Sequence, residues 1–387
     1  MILNEKQYPC LHDDGSIEYQ YKPMAYRFKN LKDFDYWYIE IHYTWRPGTN
    51  RIKNFEDFVP DYILAQLKNS ITKLLIFSVE PITTVVEDIY RFMQKFNVPY
   101  YNIILMCELV DINDFVTSVN KKYDLGEIST YYAPTGELNI SSDLKRCYKK
   151  FDNLITLEKK KYDKSFINLN RRWRLHRPLF VSLLYCHNLL NAGYVSLGDT
   201  GDKISDWTIV IDKLISIVDD NTAQLLSSRR NELINLPKLY VDTTDLTDNI
   251  TRIDAFKNTI SFYKDSYFSI VSETCFFENV GRYLTEKPFK PIALKHPFLI
   301  IGPVNTLDAM KKLGYKTFHP YINESYDSEP NQMQRLKMIL EETKRLSTLS
   351  EYELSNWIDK VKPIVEQNYQ TLRTKDYRKF DINKVVP

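Results

Sequence analysis

The chain has 387 residues, 43% of them hydrophobic and 26% charged, a balance that supports sizeable cores and excludes a disordered polyelectrolyte. A net charge of +2 gives no general attraction to nucleic acid, so any such contact needs a local basic face. Ten glycines argue against a Gly-rich phosphate loop as the main device, and five scattered cysteines without a CxxC pair read as reduced thiols.

Residues 1–30 show no clear period and suggest a strand or an arm. "YWYIEIHYTW", 36–45, is aromatic and β-branched and predicts a strand. "KLLIFSVE", 73–80, is a short apolar run of the kind that forms a buried parallel strand. "TTVVEDIYRFMQKF", 83–96, has helical spacing at Val86, Ile89, Phe92 and Phe96, and "YYNIILMCE", 100–108, predicts the next strand. Strand, helix, strand with short joints is a βαβ unit. The charged run "KRCYKKFDNLITLEKKKYDKS", 145–165, marks a boundary.

A second α/β series follows: strand 165–170, helix 177–190, strand 194–198, a further strand at 238–242, an amphipathic stretch at 248–266 and a strand at 267–274. A helix is expected to open near Thr285, followed by the strand "PFLIIGP", 297–303, and helices at 305–313 and through 331–372. The expected fold class is therefore α/β: two Rossmann-like domains facing a cleft, over 1–150 and 165–345, with a helical C-terminal tail at 346–387. The N-terminus lacks the apolar core of a signal peptide and no run reaches a membrane span, so a soluble, cytoplasmic protein with no membrane partner is expected.

Two stretches stand where ligands sit in such sheets, outside the carboxyl ends of strands. In "SIVSETCFFENVGRYLTEKPFKPIALKHPFLIIGP", 269–303, Glu273 follows an apolar strand. Arg282 comes next, and then Thr285, Glu286 and Lys287. Thr285 is expected to cap a helix, with Glu286 and Lys287 as its first residues. A helix N-terminus and a Lys suit a diphosphate, and a carboxylate suits the hydroxyl pair of a ribose. In "NLNRRWRLHRP", 168–178, Arg171, Arg172, Arg174 and Arg177 lie between a strand end and a helix start, a phosphate-type arrangement. The plain alternatives are a capped helix with surface charges and a solvated basic loop. No His spacing suits a metal, no P-loop or GxSxG is present, and Asp33-Phe34-Asp35 precedes its strand instead of ending it.

Taken together, "LNRRWRLHR", "SIVSETCFF…YLTEKPFKPIALKHPFLIIGP" and "LGYKTF…NESYD" resemble a glycosyltransferase-like family of tailed phages and large viruses. Its donor-site motifs are similar to those of α1,3-fucosyltransferase-like enzymes. The resemblance covers roughly 165–345; the N-terminal half matches only in strand–helix order. It implies a GT-B architecture, in which 1–150 serves the acceptor and 165–345 holds the nucleotide sugar. Lys287 and Arg177 would hold the donor diphosphate, with Arg171, Arg172, Arg282 and Thr285 nearby. Glu286 would take the ribose, and Glu273 would sit by the sugar or the phosphates. The Arg-rich 171–177 stretch and Phe277-Glu278-Asn279 depart from the fucosyltransferase pattern, which leaves base and sugar open.

No cofactor or metal is expected beyond the nucleotide-diphosphate sugar itself. An inverting reaction also needs a carboxylate to take the acceptor proton. Glu80, at the end of "KLLIFSVE", is the candidate and Glu108 the second. The implied acceptor is a hydroxylated base in double-stranded phage DNA, placing the enzyme in the host cytoplasm. Rival readings are a glycan or lipid-linked acceptor, or a protein that only binds nucleotide or nucleic acid.

Overall fold

The computed structural model describes residues 8–11, 17–20, 36–41, 59–78, 83–151, 157–170, 174–198, 207–237, 239, 259–277 and 281–375. Glu80, Arg171, Arg172, Glu278 and most of the expected strand 238–242 lie outside them. The chain divides into two compact units. The first takes the chain up to Thr135 and a short run ending at Tyr283; the second takes Gly136–Asn279 and Leu284–Lys375.

In the first unit, β1 (Tyr8–Leu11), β2 (Ile17–Gln20), β3 (Tyr36–Ile41), β4 (Lys73–Ser78), β5 (Ile103–Cys107) and β6 (Ser129–Tyr132) form one sheet. Its order is β2-β1-β3-β4-β5-β6, parallel except for the β1–β2 pair. Helices α1 (Asp61–Lys68), α2 (Thr83–Phe96) and α3 (Ile112–Tyr123) connect the strands. β5 is buried throughout and β4 from Leu74 onward, which explains their unbroken apolar sequence: a strand covered on both faces has no solvent side to alternate with. The helix at 83–96 matches its expected bounds. Val86, Ile89 and Phe92 are buried, as the 3.6-residue period requires.

The second unit holds α4 (Thr135–Phe151) from its second residue, β7 (Phe166–Asn170), α5 (His176–Cys186), β8 (Gly193–Leu197), α6 (Trp207–Ile217), α7 (Asp220–Ser228), α8 (Arg230–Ile234) and β9 (Phe268–Ser272). It continues with α9 (Phe289–Ala293), β10 (Phe298–Ile301), α10 (Thr306–Lys312), α11 (Gln332–Ser347) and α12 (Glu351–Thr374). Its four strands are all parallel, in the order β10-β9-β7-β8. The α/β class and the two-sheet layout expected from the sequence are both present. No described helix is long and apolar enough to cross a membrane.

One helix start is corrected. α9 opens at Phe289, with Pro288 before it and no side-chain cap, and it has only five residues. Thr285 does not cap it, because the Thr285 hydroxyl is bonded to Glu273 instead. Glu286 and Lys287 form the turn that leads in, so they do not stand at a helix N-terminus.

Candidate functional site

The order β10-β9-β7-β8 creates a switch point. The chain leaves β7 through α5 to reach β8 on one side, while β9 lies on the other. Connections therefore diverge at the carboxyl ends of β7 and β9, where parallel sheets open a crevice. The backbone register between these strands covers only Phe166↔Phe268 and Ile167↔Ser269. Beyond it, Asn168 Nδ2 donates to the Ile270 carbonyl at 2.7 Å and lies 3.3 Å from Ser272 Oγ. Asn170 Nδ2 donates to Asn168 Oδ1 at 2.7 Å, as two residues apart on one strand face allow. A buried polar network thus replaces the ladder where the strands end.

Glu273 directly follows β9 and is fully buried. Its Oε1 accepts from the Thr285 backbone N–H at 3.0 Å. Its Oε2 accepts from Thr285 Oγ1 at 2.7 Å and the Thr274 N–H at 3.0 Å. Burial pushes this carboxyl above its usual range, and the Lys287 charge and the Thr285 bonds oppose that push. Glu273 thereby staples the 285–287 turn to the end of β9.

Thr285 Oγ1 in turn accepts from Lys287 Nζ at 3.0 Å, and Lys287 Nζ also reaches Thr274 Oγ1 at 3.1 Å. The Lys287 side chain is 26% exposed and that of Glu286 41%, their charged atoms 3.5 Å apart, so both are open to a ligand. Desolvation would raise the Glu286 carboxyl, but Lys287 and Lys290 outweigh it and draw it down to about 2. Gly136, at the start of α4, packs directly on this turn. A Cβ there would lie 2.5–2.7 Å from the Thr285 and Glu286 backbone, so only glycine fits.

α5 brings His176 and Arg177 to the same strand end. Pro178 sits in its first turn, where no N–H is required. His176 Nε2 lies 2.9 Å from the Glu273 carbonyl oxygen, and Arg177 Nη2 donates to the Ser272 and Glu273 carbonyls at 3.1 and 3.2 Å. Burial and then the Arg177 charge hold His176 well below 6.5, so it is neutral and donates from Nε2. Burial and Arg174 lower Arg177 to about 10, which leaves it protonated at neutral pH. The loop after Glu273 is held from below: Arg335 stacks on the Phe276 ring at 4.9 Å, and Gln332 Nε2 donates to the Phe277 carbonyl.

Of the residues expected from the sequence, Arg177, Glu273, Thr285, Glu286 and Lys287 come together here. Arg282 and Glu108 belong to the first unit. Arg282 pairs there with Asp111 at 3.4 Å and Asp114 at 3.5 Å. Glu108, buried, accepts from the Tyr283 hydroxyl at 2.8 Å. Sequence reasoning missed Asn168, Asn170, His176 and Gly136. The two asparagines inside an apolar strand were the one signal that could have been used. Among the described residues no group of three or more His, Cys, Asp or Glu side chains is placed to hold a metal ion.

No protein-family model matches the chain, and no curated protein does. A solved structure similar to it is an alpha,alpha-trehalose-phosphate synthase (UDP-forming) from Burkholderia vietnamiensis, over 90% of this chain and 71% of that one, at 10% identity and a TM-score of 0.41. That likeness is too distant to assign a substrate or a residue's role.

Proposed function

We propose that this protein is a nucleotide-sugar-dependent glycosyltransferase of the GT-B type that works without a metal. The observation that supports it best is the gathering of Arg177, Glu286 and Lys287 around the buried Glu273 at the β7–β9 switch point. Lys287, partly exposed and steered by two threonine hydroxyls, meets the donor diphosphate. Arg177, buried beneath, adds its charge to the same place. Glu286, ionised and accessible, accepts from the ribose hydroxyls. Glu273 has every carboxylate bond directed inward, so it positions the turn instead of touching the donor.

The chemistry follows from charge. The bond between the sugar's anomeric carbon and the diphosphate oxygen breaks, and negative charge grows on the leaving diphosphate. Fixed cations in a partly dry site stabilise that charge more in the transition state than in the ground state. The acceptor hydroxyl attacks the anomeric carbon and gives its proton to a carboxylate. Glu108, held by the Tyr283 hydroxyl, and Glu80 are the candidates for that base. The acceptor we propose is a hydroxylated base in double-stranded DNA, a choice that rests on the resemblance of the motifs in 165–345. A glycan or lipid-linked acceptor is the rival, and only a DNA acceptor gives a steep loss of binding with salt.

Lys287→Ala tests the reading. It should lower turnover of nucleotide sugar by about a hundredfold, the scale of one lost charge-stabilising group, with an unchanged circular dichroism spectrum. A folded variant with wild-type turnover would refute the role given to Lys287.

A further inference from the structure

The 285–287 turn is held from two sides. Glu273 staples it to the end of β9 through Thr285. On the other side stands the first turn of α4, where Gly136 is the second residue. A Cβ on Gly136 would meet the Thr285 carbonyl carbon at 2.5 Å, the Glu286 N at 2.6 Å and the Thr285 carbonyl oxygen at 2.7 Å. This is backbone against backbone, so no change of rotamer relieves it. In a close-packed interior, a shift of the first turn of α4 is passed to Glu286 or leaves it without backing.

What seats that turn of α4 is the next residue. The Glu137 side chain is fully buried. Its Oε1 accepts from the Tyr315 hydroxyl and from Lys375 Nζ at 2.6 Å, while its Oε2 is buried without a hydrogen-bond partner. A buried carboxylate that loses its cation is strongly destabilised, so Glu137 stays in place only while Lys375 does. Lys375 is fixed in turn: its Nζ donates to the Leu313 carbonyl at 3.0 Å and lies 5.3 Å from the centre of the Tyr315 ring. One turn further along α4, Ser141 Oγ donates to the Leu372 carbonyl at 2.9 Å. The start of α4 is therefore bound to the end of α12 at two points.

We infer that Glu137 and Lys375 are positioning residues for the nucleotide-binding turn. Their ion pair seats Gly136 against Thr285 and Glu286, and so holds Glu286 and Lys287 toward the donor without touching it. This rests on the reading of the crevice as a nucleotide site.

Isothermal titration of the full chain with UDP, GDP and ADP tests it, alongside melting temperatures. Lys375→Met and Glu137→Gln should each weaken binding of the nucleotide that the wild type takes by at least about fivefold, the scale of coupling through a shared backbone shift. Lys375→Arg, which keeps the cation, should bind within about twofold of wild type. Gly136→Ala should weaken binding as well, and its effect should not add to that of Lys375→Met. Tyr267→Phe is the control: it removes a buried hydrogen bond to the Leu346 carbonyl at the amino end of β9. It should lower the melting temperature and leave affinity unchanged. If Glu137→Gln does not fold, the more exposed Lys375 carries the test. A lower melting temperature with wild-type affinity in folded Lys375→Met would make the pair purely structural, overturning this inference and leaving the donor site standing. Failure of the wild type to bind any of the three nucleotides would overturn the donor reading, and this inference with it.

Discussion

At the scale of single residues the candidate site turns on one hydroxyl. Thr285 Oγ1 donates to Glu273 and accepts from Lys287, so it joins a buried carboxylate to a partly exposed cation. Thr285→Val keeps the shape and removes both bonds. It should cost about 1–3 kcal/mol, because a buried carboxylate oxygen loses a partner, and it should weaken nucleotide binding through a mispositioned Lys287. Thr285→Ser should restore both. Chemical denaturation with nucleotide titration checks this; a Val variant as stable and as tight-binding as wild type would show the hydroxyl to be idle. That Glu273, Glu286 and Lys287 lie between two apolar strands was legible in the sequence, and the structure brings them to one strand end. Their division of labour was not legible. Glu273 is buried and Glu286 partly exposed, a difference that depends on Thr285 and Thr274 approaching Glu273 in space.

At the scale of elements, periodicity and apolar runs located most strands and helices, because burial of a strand's two faces or a helix's stripe is written locally. The start of α9 was misread for a physical reason: a threonine before an acidic turn looks like a cap until its hydroxyl finds a better partner. The joint between β9 and β10 was not legible either. Buried His296 lies just before β10, with Nδ1 2.7 Å from Ser269 Oγ in β9 and Nε2 2.9 Å from the Ser266 carbonyl. It is therefore neutral, donating from Nε2 and accepting at Nδ1, and burial lowers it from 6.5 to about 4. The unfolded chain takes up this proton first, so the stabilisation is complete above pH 6.5 and is lost as pH falls toward 4. The loss from this group should be on the order of 3 kcal/mol, and His176 adds to it in the same direction. Urea midpoints measured from pH 7 downward should fall in the wild type and fall less steeply in His296→Gln. Equal slopes would remove His296 from the account.

At the scale of the whole molecule, two largely parallel sheets could be anticipated, because each βαβ series announces itself by strand–helix alternation. The ties that complete the second unit could not. Buried Glu137, near the start of α4, accepts from Tyr315 and, at 2.6 Å, from Lys375, which stands 238 residues later just beyond α12. Ser141 of α4 donates to the Leu372 carbonyl of α12. No local pattern records a pairing of that separation. These ties set α4 against the rest of the unit, and through Gly136 they place its first turn on Thr285 and Glu286.

The central claim is a donor site for a nucleoside diphosphate at the β7–β9 crevice. Its most direct test is a thermal-shift screen of the pure protein against UDP, GDP, CMP and ADP, with and without a divalent cation. A ligand held only by the native state raises the melting temperature by mass action. A donor site there gives a clear rise with one nucleoside diphosphate, equal in size with and without the cation and reduced in Lys287→Ala. No rise with any nucleotide, or a rise that requires the metal, would contradict it.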